Sequence, residues 1–157
     1  LEDAYQMIDD IGMITGKEKA AGMLKNKIKF SFNNYIQQNI LTYSIPTIYL
    51  IWKNPYMTVG ADTFISSMMH TAGFKNVLAD QSRYPEITVE QIKSTGCKLI
   101  LLSSEPYPFK QKHINELQNE LPGITIRLVD GEMFSWYGSR LLLAPDYFTK
   151  LLKNLEI

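Results

Sequence analysis

The stretch that decides the fold runs from residue 45 to residue 52 and reads Ile-Pro-Thr-Ile-Tyr-Leu-Ile-Trp. It is rich in β-branched and aromatic side chains, and the turn residues Asn54 and Pro55 follow it closely. A short apolar run of this composition that ends in a turn is typical of a buried β-strand. Residues 45–52 are therefore predicted to form such a strand.

The sequence before this strand has a helical pattern. Apolar side chains recur at spacings of three and four residues, at Ala21, Leu24, Ile28, Phe32 and Tyr35. That spacing predicts an amphipathic helix. Gly16 is expected to divide residues 1–39 into a short helix and a long one over residues 17–39. At 1.5 Å per residue the long helix would measure about 35 Å, as long as a small domain is wide.

Strands and helices alternate after the first strand. Further strands are predicted over residues 76–78, 98–103 and 125–129. Helices are predicted over residues 61–72, 88–96, 110–121 and 140–155. Two helices followed by a βαβαβαβα order predict an α/β fold. We expect a Rossmann-like lobe with a small, mainly parallel four-stranded sheet, flanked by helices and preceded by a long helix.

Local signals predict several of the helix ends. Gly73 follows the last apolar residue of one helix and is a plausible left-handed cap. The spacing from Thr88 to Gln91 matches a capping box, in which two side chains bond reciprocally to backbone N–H groups. Pro145 is expected to break or restart the last helix because its ring cannot occupy a helix interior.

Composition excludes several classes of protein. The chain has 157 residues, 45% of them apolar and 20% charged, which suffices for a domain with a real core. Its 16 Lys and Arg balance 16 Asp and Glu, so no net field would attract nucleic acid. The single cysteine, Cys97, excludes an internal disulfide. The densest apolar stretch is too short to span a bilayer.

Aromatic residues are concentrated where the predicted strands end. Ligands of open α/β sheets bind beyond the carboxyl ends of the strands. Flat, rigid rings there suit a broad ligand surface, but the same rings could simply close the end of the sheet as a small satellite core. The residues are Trp52, Tyr56, Tyr84, Tyr107, Phe109, Phe134, Trp136 and Tyr137, with Met57 beside them.

Signatures of catalysis are sparse. The sequence contains neither a glycine-rich phosphate-binding loop nor a nucleophile elbow. His70 and His113 lie in predicted helices at unrelated spacings and are expected on the surface, and Cys97 is expected to be an inert core thiol. A small α/β enzyme that uses Glu105 or Glu132 as a general base remains a remoter alternative.

Six ordered motifs together carry a family resemblance. They are Ile-Tyr-Leu-Ile-Trp-Lys-Asn-Pro-Tyr-Met-Thr-Val-Gly (48–60), Asp-Thr-Phe-Ile (62–65), Gly-Phe-Lys-Asn-Val (73–77), Arg-Tyr-Pro-Glu-Ile-Thr-Val-Glu-Gln (83–91), Ser-Ser-Glu-Pro-Tyr-Pro-Phe (103–109) and Asp-Gly-Glu-Met-Phe-Ser-Trp-Tyr-Gly-Ser-Arg (130–140). In this order they resemble the substrate-binding proteins of ABC importers for cobalamin and ferric siderophores, the helical-backbone receptor family. The resemblance covers nearly the whole chain.

The resemblance implies a division of the chain. Members of the family have two α/β lobes joined by one long helix, with the ligand between the lobes. Residues 1–40 would then include the interlobe backbone helix, and residues 41–157 would form the C-terminal lobe. The N-terminal lobe is expected to be absent from this sequence and to be the missing partner of these residues. That absence predicts an exposed apolar stripe along Leu24, Ile28 and Phe32.

The resemblance also implies roles for individual residues. Tyr84 matches an aromatic position that meets the corrinoid, and Glu90 aligns with a glutamate that docks onto the membrane permease. Because acidic residues are favoured near helix N-termini in any case, Glu90 could equally be a purely structural residue. Arg140 could orient a ligand or simply pair with Asp130 or Glu132. The implied ligand-binding set is Trp52, Tyr56, Met57, Tyr84, Glu132, Trp136, Tyr137 and Arg140.

The implied function is transport without catalysis. The protein would be the periplasmic solute-binding component of an ABC import system, free or anchored at the cell surface, and would deliver its ligand to a membrane permease. The expected ligand is a cobalamin, because broad flat macrocycles suit aromatic walls, with a ferric siderophore or haem as the alternative. No cofactor, catalytic residue, metal site or nucleic-acid partner is expected beyond that ligand.

Overall fold

The chain begins with two helices. The computed structural model describes residues 1–39 and 44–155. Helix α1 spans Glu2–Thr15 and helix α2 spans Glu18–Gln38. Gly16 separates them in the left-handed conformation, with φ of 62°, which glycine adopts without the steric cost of a side chain. The predicted division at Gly16 is confirmed.

Four parallel strands form one sheet. They are β1 (Ile45–Leu50), β2 (Phe74–Asn76), β3 (Leu99–Ser103) and β4 (Thr125–Val129), in the order β2-β1-β3-β4. All five residues of β3 are buried, as expected for an inner strand covered on both faces. The predicted α/β class with a small, mainly parallel four-stranded sheet is confirmed.

The second strand lies two residues earlier than predicted. The sequence pattern placed it over residues 76–78, whereas the sheet includes Phe74–Asn76. The side-chain oxygen Oδ1 of Asn76 accepts a hydrogen bond from the Leu78 N–H at 3.0 Å. The Val77 N–H still donates to the Thr47 carbonyl of β1, but the Leu78 N–H is taken by this local turn, because Asn side chains compete for backbone donors.

Five further helices connect or follow the strands, and most of the predicted ends are confirmed. Gly73 caps α3 with φ of 97°, and Thr88 and Gln91 form the predicted capping box of α4. The predicted restart of the last helix at Pro145 is confirmed, but the residues before it form a 3-10 turn instead of an α-helix. A 3-10 turn over Gly138–Leu142 precedes α7, and Pro145 lies in the first turn of α7, where its missing N–H costs nothing. The helices are α3 (Phe64–Ala72), α4 (Val89–Ser94), α5 (Gln111–Glu120), α6 (Glu132–Ser135) and α7 (Ala144–Lys153).

The chain divides into two compact units. Unit 1 comprises the described parts of residues 1–41 and 135–157, and unit 2 comprises those of residues 42–134. The predicted boundary between residues 40 and 41 lies outside the described residues. Sequence analysis did not anticipate the second division after Phe134.

Unit 1 consists of α1, α2, the 3-10 turn and α7. The predicted exposed stripe on α2 is wrong: Ile28 and Phe32 are 0% and 2% exposed. The reason is that α1 and α7 both pack against α2. The exposed apolar side chains of these helices lie elsewhere, at Ile11, Met13, Ile14, Met23, Phe30, Ile36 and Leu143. Across residues 1–39 and 44–155, none of the helices combines the length and apolar character needed to cross a membrane.

Unit 2 contains the sheet, and a core of aliphatic side chains holds it to its helices. Ile48, Leu50 and Ile100 are fully buried in this core together with Ile92 of α4 and Leu117 of α5. Each such side chain contributes about 1.5 to 3 kcal/mol relative to exposure. The sheet and its flanking helices therefore form a stable platform for the segments at the strand ends.

Two long connections pair with each other beside the sheet. The Thr58 N–H donates to the Pro85 carbonyl at 2.9 Å, and the Gly60 N–H donates to the Arg83 carbonyl at 2.8 Å. The backbones approach so closely at Gly60 that a Cβ there would lie 2.5 Å from the Gln81 carbonyl oxygen. Only glycine fits at this position, since the obstacle is backbone and not a flexible side chain.

We predict that Gly60→Ala destabilises the protein by about 1 to 3 kcal/mol, because the added methyl group forces the two connections apart. Urea unfolding followed by circular dichroism measures the change. Gly22→Ala is the matched control and should not destabilise the protein. No heavy atom lies within 4 Å of its added Cβ, and the change removes a glycine from a helix, where glycine costs about 0.5 to 1 kcal/mol relative to alanine. Equal stability of Gly60→Ala and the unaltered protein would contradict the close approach.

Candidate functional site

The carboxyl ends of three strands define a candidate site in unit 2. Because β1, β3 and β4 are parallel, the segments that follow them meet at one edge of the sheet. We call residues 51–57, 104–109 and 130–134 the sheet rim. Hydrogen bonds join its three parts: the Tyr107 N–H donates to the Ile51 carbonyl at 3.3 Å, and the Gly131 N–H donates to Ser104 Oγ at 2.9 Å.

Trp52 is the large exposed ring of the first rim segment. Its side chain is 40% exposed and meets the Tyr107 ring edge-on, with centroids 5.6 Å apart. Tyr107 in turn packs on the buried Phe109 at 4.7 Å. Such edge-on pairs contribute about 0.5 to 1.5 kcal/mol beyond the area they bury. The Trp52 indole is thus accessible and supported from one side.

Backbone pairing connects the segment that contains Tyr84 to the segment that contains Trp52. Isolated bridges link Trp52 to Met57 and Met57 to Glu86. Tyr84 lies two residues before Glu86 and is 48% exposed. Its neighbour Arg83 has φ of 59° and donates its backbone N–H to Asp62 at 2.5 Å, which fixes this turn.

Two other predicted ligand residues of the rim, Tyr56 and Met57, are half-buried and help to hold the rim in place. Tyr56 is half-buried and packs against the core cluster beneath the sheet end. Burial raises the pKa of its phenol, and the nearby Lys53 partly opposes that rise. Met57 is half-buried, and its backbone carries both of the bridges described above.

The structure separates the aromatic residues into exposed and buried rings. Trp52 and Tyr84 are exposed, whereas Phe109 and Phe134 are buried at 5% and 0% exposure. Phe134 packs on the Tyr49 ring of β1 at 5.2 Å. The buried rings close the end of the sheet, and the exposed rings remain available to a ligand.

The last rim segment positions Glu132. Its backbone N–H donates to Asp130 Oδ1 at 3.1 Å, and its side chain is half-buried. A Cβ on Gly131 would lie 2.4 Å from Ser103 Oγ and 2.7 Å from Glu105 Cγ. Glu105 is therefore packed against this segment, and the side chain that caps the start of α5 belongs to another residue.

That residue is His113, and its predicted surface position is wrong. His113 is 3% exposed, and its Nδ1 accepts a hydrogen bond from the Lys110 N–H at 2.9 Å. It occupies the third position of α5, where a side-chain acceptor can reach back to the first residue of the helix. The spacing from Lys110 to His113 was the sequence signal for this role. His70 is exposed, as predicted.

Three predicted ligand residues belong to the other unit. Trp136 and Tyr137 are 50% and 44% exposed, and Arg140 is half-buried in the 3-10 turn. All three lie in unit 1. The structure thus brings Trp52, Tyr56, Met57, Tyr84 and Glu132 into one compact unit and these three into another.

Two cations at or near the rim of unit 2, Lys53 and Arg83, each lie close to a carboxylate. Lys53 forms an ion pair with Glu116, and the hydrogen bond between them raises the pKa of Lys53 and lowers that of Glu116. Arg83 lies 3.9 Å from Asp62. In the part of the chain that the structure describes, no cluster of three or more His, Cys, Asp or Glu side chains could hold a metal ion.

Glu90 lies away from the rim segments in sequence, in the first turn of α4. It is exposed, and hydrogen bonds from its own backbone N–H and from the Thr88 hydroxyl lower the pKa of its carboxyl. Cys97 is buried, and burial raises the pKa of its thiol, as for an inert core residue.

Known proteins resemble this chain in structure. No protein-family profile and no curated protein sequence matches it. A possible iron-binding, periplasmic solute-binding protein of Staphylococcus epidermidis superposes with a TM-score of 0.79 at 19% identity, over 99% of this chain and 62% of that one. The periplasmic vitamin B12-binding protein BtuF of Vibrio cholerae gives 0.72 at 16%, over 96% and 61%. An Fe3+-hydroxamate transport protein of Saccharomonospora viridis gives 0.70 at 16%, over 99% and 56%.

These similarities agree with the motif resemblance at the level of fold. The chain spans about three fifths of the length of the proteins that it matches. Over that length, it has the α/β fold of the periplasmic substrate-binding proteins of ABC importers.

Proposed function

We propose that this chain is part of the substrate-binding component of an ABC importer and holds a large metal complex against the sheet rim. The observation that carries the proposal is the exposed Trp52 ring, supported edge-on by Tyr107 at the carboxyl end of β1. A second exposed ring, Tyr84, lies two residues before Glu86, whose backbone is bridged through Met57 to that of Trp52, which supports the proposal. Rigid rings of this kind provide large contact areas at low entropic cost.

The chemistry of the rim fits capture and release of an intact ligand. Binding of this kind needs shape and contact area and no nucleophile or general base. The similar solved proteins are described as binding proteins for iron, haem or vitamin B12. One of the two carboxylates of the remoter enzyme hypothesis, Glu105, belongs to a segment packed tightly against Gly131, which favours a structural role for it.

The cations at and near the rim help to decide which class of ligand the site would favour. Lys53 and Arg83 both have a carboxylate partner, Glu116 and Asp62 respectively. A strongly anionic ferric siderophore would gain little from cations that are already compensated. Cobalamin, a broad macrocycle of low charge, is therefore our first candidate, and haem or a ferric siderophore is the alternative.

The proposal includes a cellular place and two protein partners. The similar proteins are periplasmic, and we place this one in the periplasm or anchored at the cell surface. Because they are longer than this chain, a second lobe is proposed as the opposite wall of the ligand site. A membrane permease is proposed to bind Glu90, whose carboxylate is exposed in the first turn of α4.

We predict that the complete gene product binds cobalamin and that Trp52→Ala weakens binding by about tenfold, since buried aromatic anchors dominate such interfaces. Isothermal titration with cyanocobalamin, haemin and ferrichrome measures affinity and identifies the ligand. Phe30→Ala is the control, because this ring is 68% exposed on α2 and is not among the predicted contacts.

Two results would contradict this proposal. Absence of saturable binding of all three compounds by the folded protein would reject a metal-complex ligand. Equal losses for Trp52→Ala and Phe30→Ala would remove the sheet rim from the binding surface.

We predict that Glu90→Lys lowers uptake of radiolabelled cobalamin by cells by at least about tenfold, because a reversed charge opposes docking on a basic permease surface. Ligand affinity of the purified variant should be unchanged. Glu120→Lys, a reversal at an exposed glutamate of α5, is the matched control and should transport normally. Normal uptake by Glu90→Lys would leave Glu90 with only its role at the start of α4.

A further inference from the structure

A buried imidazole lies one ring away from the exposed indole of Trp52. His113 contacts Tyr107, with ring centroids 5.4 Å apart, and Tyr107 contacts Trp52 at 5.6 Å. The His113 Nε2 also lies 3.4 Å from the Tyr107 hydroxyl oxygen. The Tyr107 N–H donates to the carbonyl of Ile51, the residue before Trp52. Side-chain and backbone contacts thus both connect Tyr107 to the Trp52 segment.

The hydrogen bonds of His113 require its neutral form. Its Nδ1 accepts from the Lys110 N–H at 2.9 Å, so Nδ1 carries no proton, and Nε2 carries the proton that faces the Tyr107 oxygen. A second proton on Nδ1 would face the Lys110 N–H, donor against donor. The imidazolium could not remain in this position without losing the cap of α5.

The surroundings also oppose a charge on His113. Burial, and then the charge of Lys53 on the first rim segment, lower the pKa of His113 below its usual value of about 6.5. Lys110 and Lys112 act in the same direction, and only Glu116 opposes them. The Phe109 ring stands perpendicular to the imidazole at 5.5 Å and excludes water from it.

We propose that His113 and Tyr107 are positioning residues for Trp52, and that protonation of His113 at acidic pH releases Tyr107 and with it the ligand-binding orientation of the indole. The part that concerns the ligand rests on the proposed function. The coupling between the three rings does not, and it is measurable without any ligand.

Fluorescence of Trp52 tests the coupling. The chain contains two tryptophans, so Trp136→Phe leaves Trp52 as the reporter. We expect its emission to change in one step as the pH falls below about 6.5. His113→Gln should abolish the step, because glutamine at this helix position retains the cap without titrating. Gln91 of α4 shows the same arrangement, accepting from the Thr88 N–H at 2.7 Å.

Tyr107→Phe separates positioning from direct quenching. It keeps the ring against Trp52 but removes the hydroxyl beside His113. We expect the fluorescence step to lose at least about half of its amplitude, whereas quenching through space by the imidazolium would be unchanged. A step that persists in His113→Gln, or that is equal in Tyr107→Phe and the parent, would overturn the proposal.

Stability provides a second readout with a definite sign. Because folding lowers the pKa of His113, the unfolded chain binds the proton more readily. The free energy of unfolding should therefore fall as the pH decreases from about 6.5 towards the lowered pKa. Urea unfolding at several pH values should show this fall in the parent and its reduction in His113→Gln. Identical pH dependence in the two proteins would contradict a buried neutral imidazole.

Ligand affinity tests separately whether Tyr107 positions Trp52 for the ligand. We expect cyanocobalamin to bind about two- to tenfold more weakly in Tyr107→Leu, the range expected for loss of one aromatic pair. In a Trp52→Ala background Tyr107→Leu should cause no further loss, because Tyr107 acts through Trp52. If the losses of affinity from Trp52→Ala and Tyr107→Leu simply added in the double variant, the positioning role of Tyr107 would be overturned. Failure of cyanocobalamin, haemin and ferrichrome to bind at all, with the fluorescence step intact, would reject the proposed function and leave the ring coupling standing.

Discussion

Parallel pairing of β1 with β3 is the constraint on which the rest of the structure depends. The register aligns Thr47 with Leu99 and Leu50 with Leu102, so both strands end at the same edge of the sheet. Parallel sheets are normally covered on both faces, and the inner strand β3 is fully buried in this way. The covered faces leave the carboxyl edge as the place where connections of variable sequence can meet a ligand.

Close backbone approaches then give the connections their shape. Gly60 and Gly131 each lie where a Cβ would collide with a neighbouring segment. Because Gly60 has no side chain, the segment beyond β1 can pair with the segment that contains Tyr84. Because Gly131 has none, the last rim segment can pack on Ser103 and Glu105. Exposed rings on such segments are held by the backbone beneath them, which reduces the entropy lost when a ligand binds.

A receptor requires precise support and no chemical step, and the buried residues near the rim fit that requirement. Tyr107 supports Trp52 and itself packs on Phe109, and His113 both caps α5 and packs against Tyr107 and Phe109. A histidine in such a place combines support with sensitivity to pH, because one proton changes its hydrogen-bonding pattern. Burial that stabilises the neutral imidazole is thus the physical origin of the proposed pH response.

The sequence by itself determined the order and kind of most elements, because periodicity and cap residues act locally. The strand at Thr125–Val129, the left-handed Gly16 and the capping box at Thr88 were all predictable in this way. Only the tertiary structure decided which apolar and aromatic side chains are covered. Phe32 and Trp52 are both large and apolar, yet one is 2% exposed and the other 40%. Burial depends on which distant parts of the chain pack against a residue, and the local spacing of residues contains no information about those contacts.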